Sequence, residues 1–176
     1  PTITGGDQTL CEGEAFSLAT TANAAAYAWT GPNGFTSTSQ FPTVVTSVSS
    51  VDVGTYSLVV TNAAGCESDT ATMTLSVNDK PATPVLYNAG PYCDSTDIML
   101  YTTAACDSIV WTAPDGSDTS TYADTLRIAY ASTFYQAGDW TIKCIDTATL
   151  CESDQSNAST VVINTIPQAL ATNDGP

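Results

Sequence analysis

Six cysteines and eighteen carboxylates are the side chains best placed to do chemistry in this 176-residue chain, which has no histidine. Without His the usual general base is missing, and carboxylates acting alone need to face each other in pairs across a cleft. The acidic residues instead gather at Glu12-Gly13-Glu14, Glu67-Ser68-Asp69, Asp94-Ser95-Thr96-Asp97 and Asp115-Gly116-Ser117-Asp118. Mixed with Gly, Ser and Thr, they read as solvated turns, because Asp and Ser bond their own backbone there. The sharper reading is a structural Ca2+ held between modules by carboxylates and carbonyls, although no EF-hand spacing supports it. No Cys-x-x-Cys pair occurs, so zinc has little to bind. An even number of cysteines in a small chain points to a disulfide framework and an oxidising compartment.

Eighteen acidic against three basic residues (Lys80, Arg127, Lys143) give a net charge of −15. Nucleic acid is therefore excluded as a partner, since there is nothing to replace phosphate counterions. The composition is still that of a folded chain: 43% hydrophobic residues, with three Trp and eight Tyr, can fill a core. No apolar run approaches a membrane span, and no signal peptide opens the chain. A secreted form would be mature or truncated.

The elements that position these residues come in two copies. Cys11-Glu12-Gly13-Glu14, Trp29-Thr30-Gly31-Pro32-Asn33-Gly34, Gly54-Thr55-Tyr56 and Gly65-Cys66-Glu67-Ser68-Asp69 return as Cys93-Asp94-Ser95-Thr96, Trp111-Thr112-Ala113-Pro114-Asp115-Gly116, Gly138-Asp139-Trp140 and Leu150-Cys151-Glu152-Ser153-Asp154. The offset is 82 residues at the first Cys and the Trp, 84 at Tyr56 and Trp140, and 85 at the last Cys. A repeat of this kind sets the architecture before any local reading. We expect one module over residues 1–79, a second over 80–165, and a linker or the start of a further module over 166–176. The array is read as a piece of a longer one.

Within each copy apolar residues fall on alternate positions. Examples are 15–19, 27–29, 56–60 and 71–77 in the first copy, and 98–102, 108–111, 140–145 and 159–163 in the second. This is the pattern of half-buried strands, and helix signals are nearly absent. Gly31-Pro32-Asn33-Gly34, Ala64-Gly65 and Pro114-Asp115-Gly116 supply the turns. The fold class expected is all-β, two antiparallel sandwiches in tandem.

A Trp on the third strand and the run Asp52-Val53-Gly54-Thr55-Tyr56 make the chain resemble an immunoglobulin-like domain. More narrowly, Cys-Glu-Gly-Glu, Trp-Thr-Gly-Pro-Asn-Gly-Phe, Gly-Thr-Tyr and Gly-Cys resemble the immunoglobulin-like repeats of large secreted surface adhesins of Bacteroidota-type bacteria. The resemblance covers nearly all of the first copy and, more loosely, the second. It implies that Tyr56 opens the sixth strand and reaches the backbone of the preceding corner. It also implies O-glycans on Asp-Ser/Thr-small triplets, here at Thr70, Ser108, Thr125 and Thr147. Asn157-Ala158-Ser159 matches the N-glycan sequon.

Recurrence suggests that Cys11 pairs with Cys66 and Cys93 with Cys151. Each bridge would close more than fifty residues and contribute about 4 kcal/mol by chain entropy. Against this, the two loops concerned lie at opposite ends of a simple sandwich, so a bridge between modules such as Cys11 to Cys151 stays open. Cys106 and Cys144, whose counterparts are Ala24 and Val60, fall at one end of neighbouring strands and pair easily.

Trp29 and Trp111 belong to the core. Tyr122, Tyr130, Phe134 and Tyr135 crowd residues 119–137 and form the candidate ligand contact, for a surface glycan or a protein receptor. The leading functional expectation is a non-enzymatic extracellular segment of an adhesin, stalk or filament. Its partners would be further modules of the same chain or other copies. In the assembly variant, residues 165–176 add an edge strand to a neighbouring subunit, limited by Pro167 and Pro176.

Overall fold

The structure, a computed structural model, describes residues 1–129 and 136–167. Two compact units divide the chain at Pro1–Lys80 and Pro81–Pro176.

Unit 1 contains strands Gln8–Cys11 (β1), Phe16–Ser17 (β2), Ala26–Thr30 (β3), Thr36–Ser37 (β4), Thr43–Val45 (β5), Gly54–Thr61 (β6) and Ala71–Asn78 (β7). One sheet runs β1-β7-β6-β3-β4, and the other pairs β2 with β5. Alternation is visible strand by strand. In β7, Met73 and Leu75 turn inward while Thr72, Thr74 and Ser76 face solvent. Phe16 and Leu18 meet Trp29, Val48, Tyr56, Leu58, Met73 and Leu75 in a single core between the sheets. The expected second strand over 15–19 is shortened to Phe16–Ser17, where its register with β5 shifts. The first strand departs most from a plain alternating sandwich: β1 lies parallel to β7, with Gln8 opposite Leu75 and Cys11 opposite Asn78.

Unit 2 contains Tyr87–Asn88 (β8), Tyr92–Cys93 (β9), Ile98–Tyr101 (β10), Ser108–Thr112 (β11), Asp118–Thr121 (β12), Thr125–Ile128 (β13), Gly138–Ile145 (β14), Ser159–Val161 (β15) and Ile163–Asn164 (β16). Sheet β13-β10-β8 faces sheet β12-β11-β14-β15 across a core of Ile98, Leu100, Trp111, Trp140, Ile142 and their neighbours. β9 runs parallel to β16, placing Cys93 opposite Asn164, as Cys11 stands opposite Asn78.

The repeated motifs are absorbed by this scaffold. Trp29 and Trp111 are buried at the centre of their cores, and each indole N–H finds an acceptor: the Ser39 carbonyl at 2.8 Å and Thr121 Oγ1 at 2.9 Å. The Tyr56 hydroxyl donates to the Asp52 carbonyl four residues back at 2.9 Å, the corner that the family resemblance implies. Unit 2 builds the same corner from a different residue, for Trp140 Nε1 donates to the Gln136 carbonyl, also four residues back, at 2.9 Å. The repeated Gly and Pro explain each other. Gly54 (φ 140°) and Gly138 (φ 130°) leave no room for a side chain, since a Cβ would stand 2.9 Å from the rings of Pro32 and Pro114 respectively.

The Glu-Ser-Asp triplets serve strand pairing. Ser68 Oγ accepts from the Val60 N–H and donates to the Asp69 carbonyl. Ser153 Oγ does the same with the Cys144 N–H and the Asp154 carbonyl. Each hydroxyl fills a place in the ladder that the irregular segment leaves without a backbone partner.

The disulfides correct the recurrence argument. Cys106 and Cys144 are bridged, with Cα atoms 5.3 Å apart. Cys11 and Cys151 each take part in a disulfide, whereas Cys66 and Cys93 are free and exposed thiols. Neither Cys11–Cys66 nor Cys93–Cys151 therefore exists. The reason is register. Cys11 is level with Asn78, the far end of β7, while Cys66 precedes the near end, Ala71. Seven strand residues separate those levels, about 23 Å, against the roughly 7 Å limit between bridged Cα atoms. In unit 2, Cys151 sits by Ile145, whose neighbour across the ladder is Glu152, whereas Gly138 at the other end of β14 pairs Val161 near β16 and Cys93.

Candidate functional site

Comparing the copies position by position exposes one place where the scaffold is not refilled. In unit 1 the turn Pro32–Gly34 is followed by Phe35, whose ring packs edge-on against Tyr56 at 5.7 Å. Gly31 lets that happen, because a Cβ there would lie 2.4 Å from the Tyr56 ring. The counterparts in unit 2 are Ser117 for Phe35, Ala113 for Gly31 and Trp140 for Tyr56. The backbone frame is the same: Gly31 N–H to Phe35 carbonyl becomes Ala113 N–H to Ser117 carbonyl, at 3.0 and 2.8 Å.

Losing the Phe ring leaves a cleft of about 230 Å3. Ala113, Leu126, Ile128 and Trp140 form its apolar wall, and Asp115, Ser117 and Thr119 its polar rim. The Asp115 carboxylate is fixed by the Ser117 hydroxyl at 2.6 Å and the Ser117 N–H at 2.9 Å. Those two bonds, the hydroxyl's first, hold its carboxyl below the usual range. An apolar wall beside a fixed acceptor suits a ligand with one apolar face and hydroxyl or amide donors on its edge.

Of the sequence-predicted contact residues, Tyr122 follows β12 and is 85% exposed. Tyr130, Phe134 and Tyr135 lie outside the described residues, as do residues 168–176 of the expected edge-strand donor. Several loop carboxylates have partners within the protein. Glu14 accepts from the Cys11 N–H at 2.7 Å, Asp97 pairs with Arg127, and Asp146 caps Thr149 and Ala148, whose N–H groups in that order lower its pKa. Among the described residues no group of three or more His, Cys, Asp or Glu could hold a metal ion, so the Ca2+ expectation gains no ligand set there.

The expected glycan acceptors separate by burial. Thr70 and Thr147 are exposed and Thr125 is partly so. Ser108 is the least accessible of the four, 9% exposed at the start of β11 with its hydroxyl donating to the Thr121 carbonyl. At Asn157 the side-chain amide bonds both the N–H and the carbonyl of Leu86, at 3.2 and 3.4 Å, tying the sequon to the segment before β8. Sequence reasoning missed the Phe35 plug and its loss, although the signal, an aromatic replaced by Ser inside a conserved turn frame, stands in the aligned copies.

No family model and no curated protein matches the sequence. Solved structures match over nearly the whole chain. A marsupial T cell receptor is similar at 13% identity and a TM-score of 0.50, covering 94% of this chain and 73% of that one. Fibronectin(III)-like modules of Clostridium thermocellum CbhA are similar at 10% identity and a TM-score of 0.46, covering 97% and 98%. Murine CEACAM1b is similar at 15% identity and a TM-score of 0.43, covering 92% and 98%. At 13% identity the likeness to the T cell receptor speaks for the fold alone, and with the sheet orders above the chain is all-β and immunoglobulin-like.

Proposed function

We propose that this chain is a non-enzymatic, extracellular structural segment: tandem immunoglobulin-like modules of a surface adhesin, stalk or filament of the kind made by Bacteroidota-type bacteria. One observation carries the reading. The residues repeated between the copies, namely the core Trp, the corner Tyr or Trp, the Pro and Gly that pack on each other, and the ladder Ser, all serve the scaffold. What has been duplicated is a folding unit. The disulfide-bonded cysteines and the net charge of −15 suit an oxidising, exposed setting. Among the described residues no helix is long and apolar enough to cross a membrane. Thr70, Thr125 and Thr147 are the more accessible of the four hydroxyls for O-glycans.

A second reading, a glycan or protein receptor contact on unit 2, is favoured by the cleft under Ser117 and by exposed Tyr122. Glycan-array and cell-binding assays test the two together. The structural reading expects Ser117→Phe, which restores the plug of unit 1, and the triple Ala replacement of Tyr122, Tyr130 and Tyr135 to leave adhesion unchanged. Specific binding by the parent chain that either variant abolishes while staying folded would replace it with the receptor reading.

A further inference from the structure

We infer that Cys66 and Cys93 are the two complementary halves of an intermolecular disulfide that joins copies of this chain head to tail. In each copy of the module one cysteine stands at the end of the first parallel strand (Cys11, Cys93) and one in the turn after the sixth strand or its equivalent (Cys66, Cys151). The backbone frames match. Glu12 N–H to Asn78 carbonyl and Glu14 N–H to Cys11 carbonyl are repeated as Asp94 N–H to Asn164 carbonyl and Thr96 N–H to Cys93 carbonyl. Asn62 N–H to Cys66 carbonyl is repeated as Asp146 N–H to Cys151 carbonyl.

Each of the two positions therefore occurs once bonded and once free. Cys11 is in a disulfide and its counterpart Cys93 is an exposed thiol; Cys151 is in a disulfide and fully buried, and its counterpart Cys66 is an exposed thiol. The bonded members show that both frames present sulfur in a way that accepts a partner. Pairing Cys66 or Cys93 inside its own module is ruled out by the register that separates the two ends by about 23 Å. A second copy of this chain supplies what each lacks: a strand-end cysteine for Cys66 and a turn cysteine for Cys93. Because the two ends differ, the contact is heterologous and propagates into a filament rather than closing as a symmetric dimer.

Oxidised glutathione serves as the oxidant. The Cys66 thiolate attacks it, forming a mixed disulfide and releasing one glutathione thiol. The Cys93 thiolate of another copy then attacks the Cys66 sulfur, forming the protein–protein bond and releasing the second glutathione. Two protein thiols are oxidised and one glutathione disulfide is reduced.

The inference rests on the structural reading above only for the oxidising compartment. Native protein with Cys106–Cys144 reduced would defeat that reading, whereas failure of the two variants to cross-link under added oxidant would defeat the pairing alone. The test uses the full chain as Cys66→Ser and Cys93→Ser, exposed positions whose replacement leaves both cores untouched. With oxidised glutathione each variant alone stays monomeric on a non-reducing gel. Mixed together they give a covalent dimer, and peptide mapping joins Cys93 of the first to Cys66 of the second. Homodimers of either variant in comparable yield, or no dimer from the mixture while both thiols react with an alkylating reagent, would overturn it. So would failure of either thiol to alkylate in the folded, unmixed chain.

Discussion

Replacing Cys106 by Ala and Cys144 by Val gives unit 2 the residues that unit 1 carries at Ala24 and Val60, and measures what the extra bridge contributes. The copies close this end of the sandwich differently. In unit 1, Tyr27 stands opposite Val60, and its hydroxyl donates to the Ala22 carbonyl at 2.9 Å while accepting from the Ala24 N–H. In unit 2, Ile109 stands opposite Cys144, and the disulfide to Cys106 takes over. The bridged residues are 38 apart in sequence, which on the chain-entropy model corresponds to about 4 kcal/mol lost by the double variant. For a module of this size that lowers the melting temperature by about 15–30 °C. Replacement by Ala and Val keeps the site apolar, so little of the loss comes from packing. Hydrogen exchange resolved by peptide, in increasing urea, reads each unit by itself. Protection in β11 and β14 should fall by the full amount while protection in β3 and β6 stays unchanged. A loss in unit 2 below about 1 kcal/mol, or an equal loss in unit 1, would refute the assignment of the bridge as a local entropic staple.

Tyr56→Phe removes the hydroxyl that reaches the Asp52 carbonyl and should cost unit 1 about 1–3 kcal/mol by urea denaturation. Burial, and then the charge of Asp52, raises the Tyr56 pKa above 10.0, so the folded chain keeps a proton that the unfolded chain releases. This contribution is intact below that pH and is lost as pH rises through the folded value, and the alkaline slope of stability should flatten in Tyr56→Phe. Ser153→Ala leaves the buried Cys144 N–H without its 2.9 Å acceptor and should destabilise unit 2 by about 1–3 kcal/mol, more than Ser68→Ala does unit 1, where the Ser is partly exposed. Gly138→Ala forces a Cβ against Pro114 at a φ of 130° and should lower the melting temperature of unit 2. Glycopeptide mapping of native material should find Thr70 or Thr147 modified before Ser108; occupied Ser108 on folded protein would contradict its burial.

Period-two alternation and an 82-residue repeat determine a great deal by themselves, because both are written in local order. Met73 and Leu75, or Ile142 and Cys144, point inward for the same reason their neighbours point outward, and a motif seen twice must build one unit twice. The Cys106–Cys144 bridge follows from such placement, whereas the Tyr56 corner and the core role of both Trp residues are implied by the resemblance to an immunoglobulin-like domain. The pairing of the first strand does not. Whether residues 8–11 join the Phe16 sheet or lie parallel to β7 depends on contacts nearly seventy positions away, and the parallel pairing, which levels Cys11 with Asn78, keeps Cys11 at the end opposite Cys66 that a simple sandwich gives it. Recurrence in sequence shows that positions are equivalent, and only register shows whether equivalent positions can touch. The same holds for the cleft. Ser117 looks like an ordinary turn residue until the fold places it where Phe35 fills the space beside the corner, and its consequence depends on Ala113, Leu126 and Trp140, which meet there only in three dimensions.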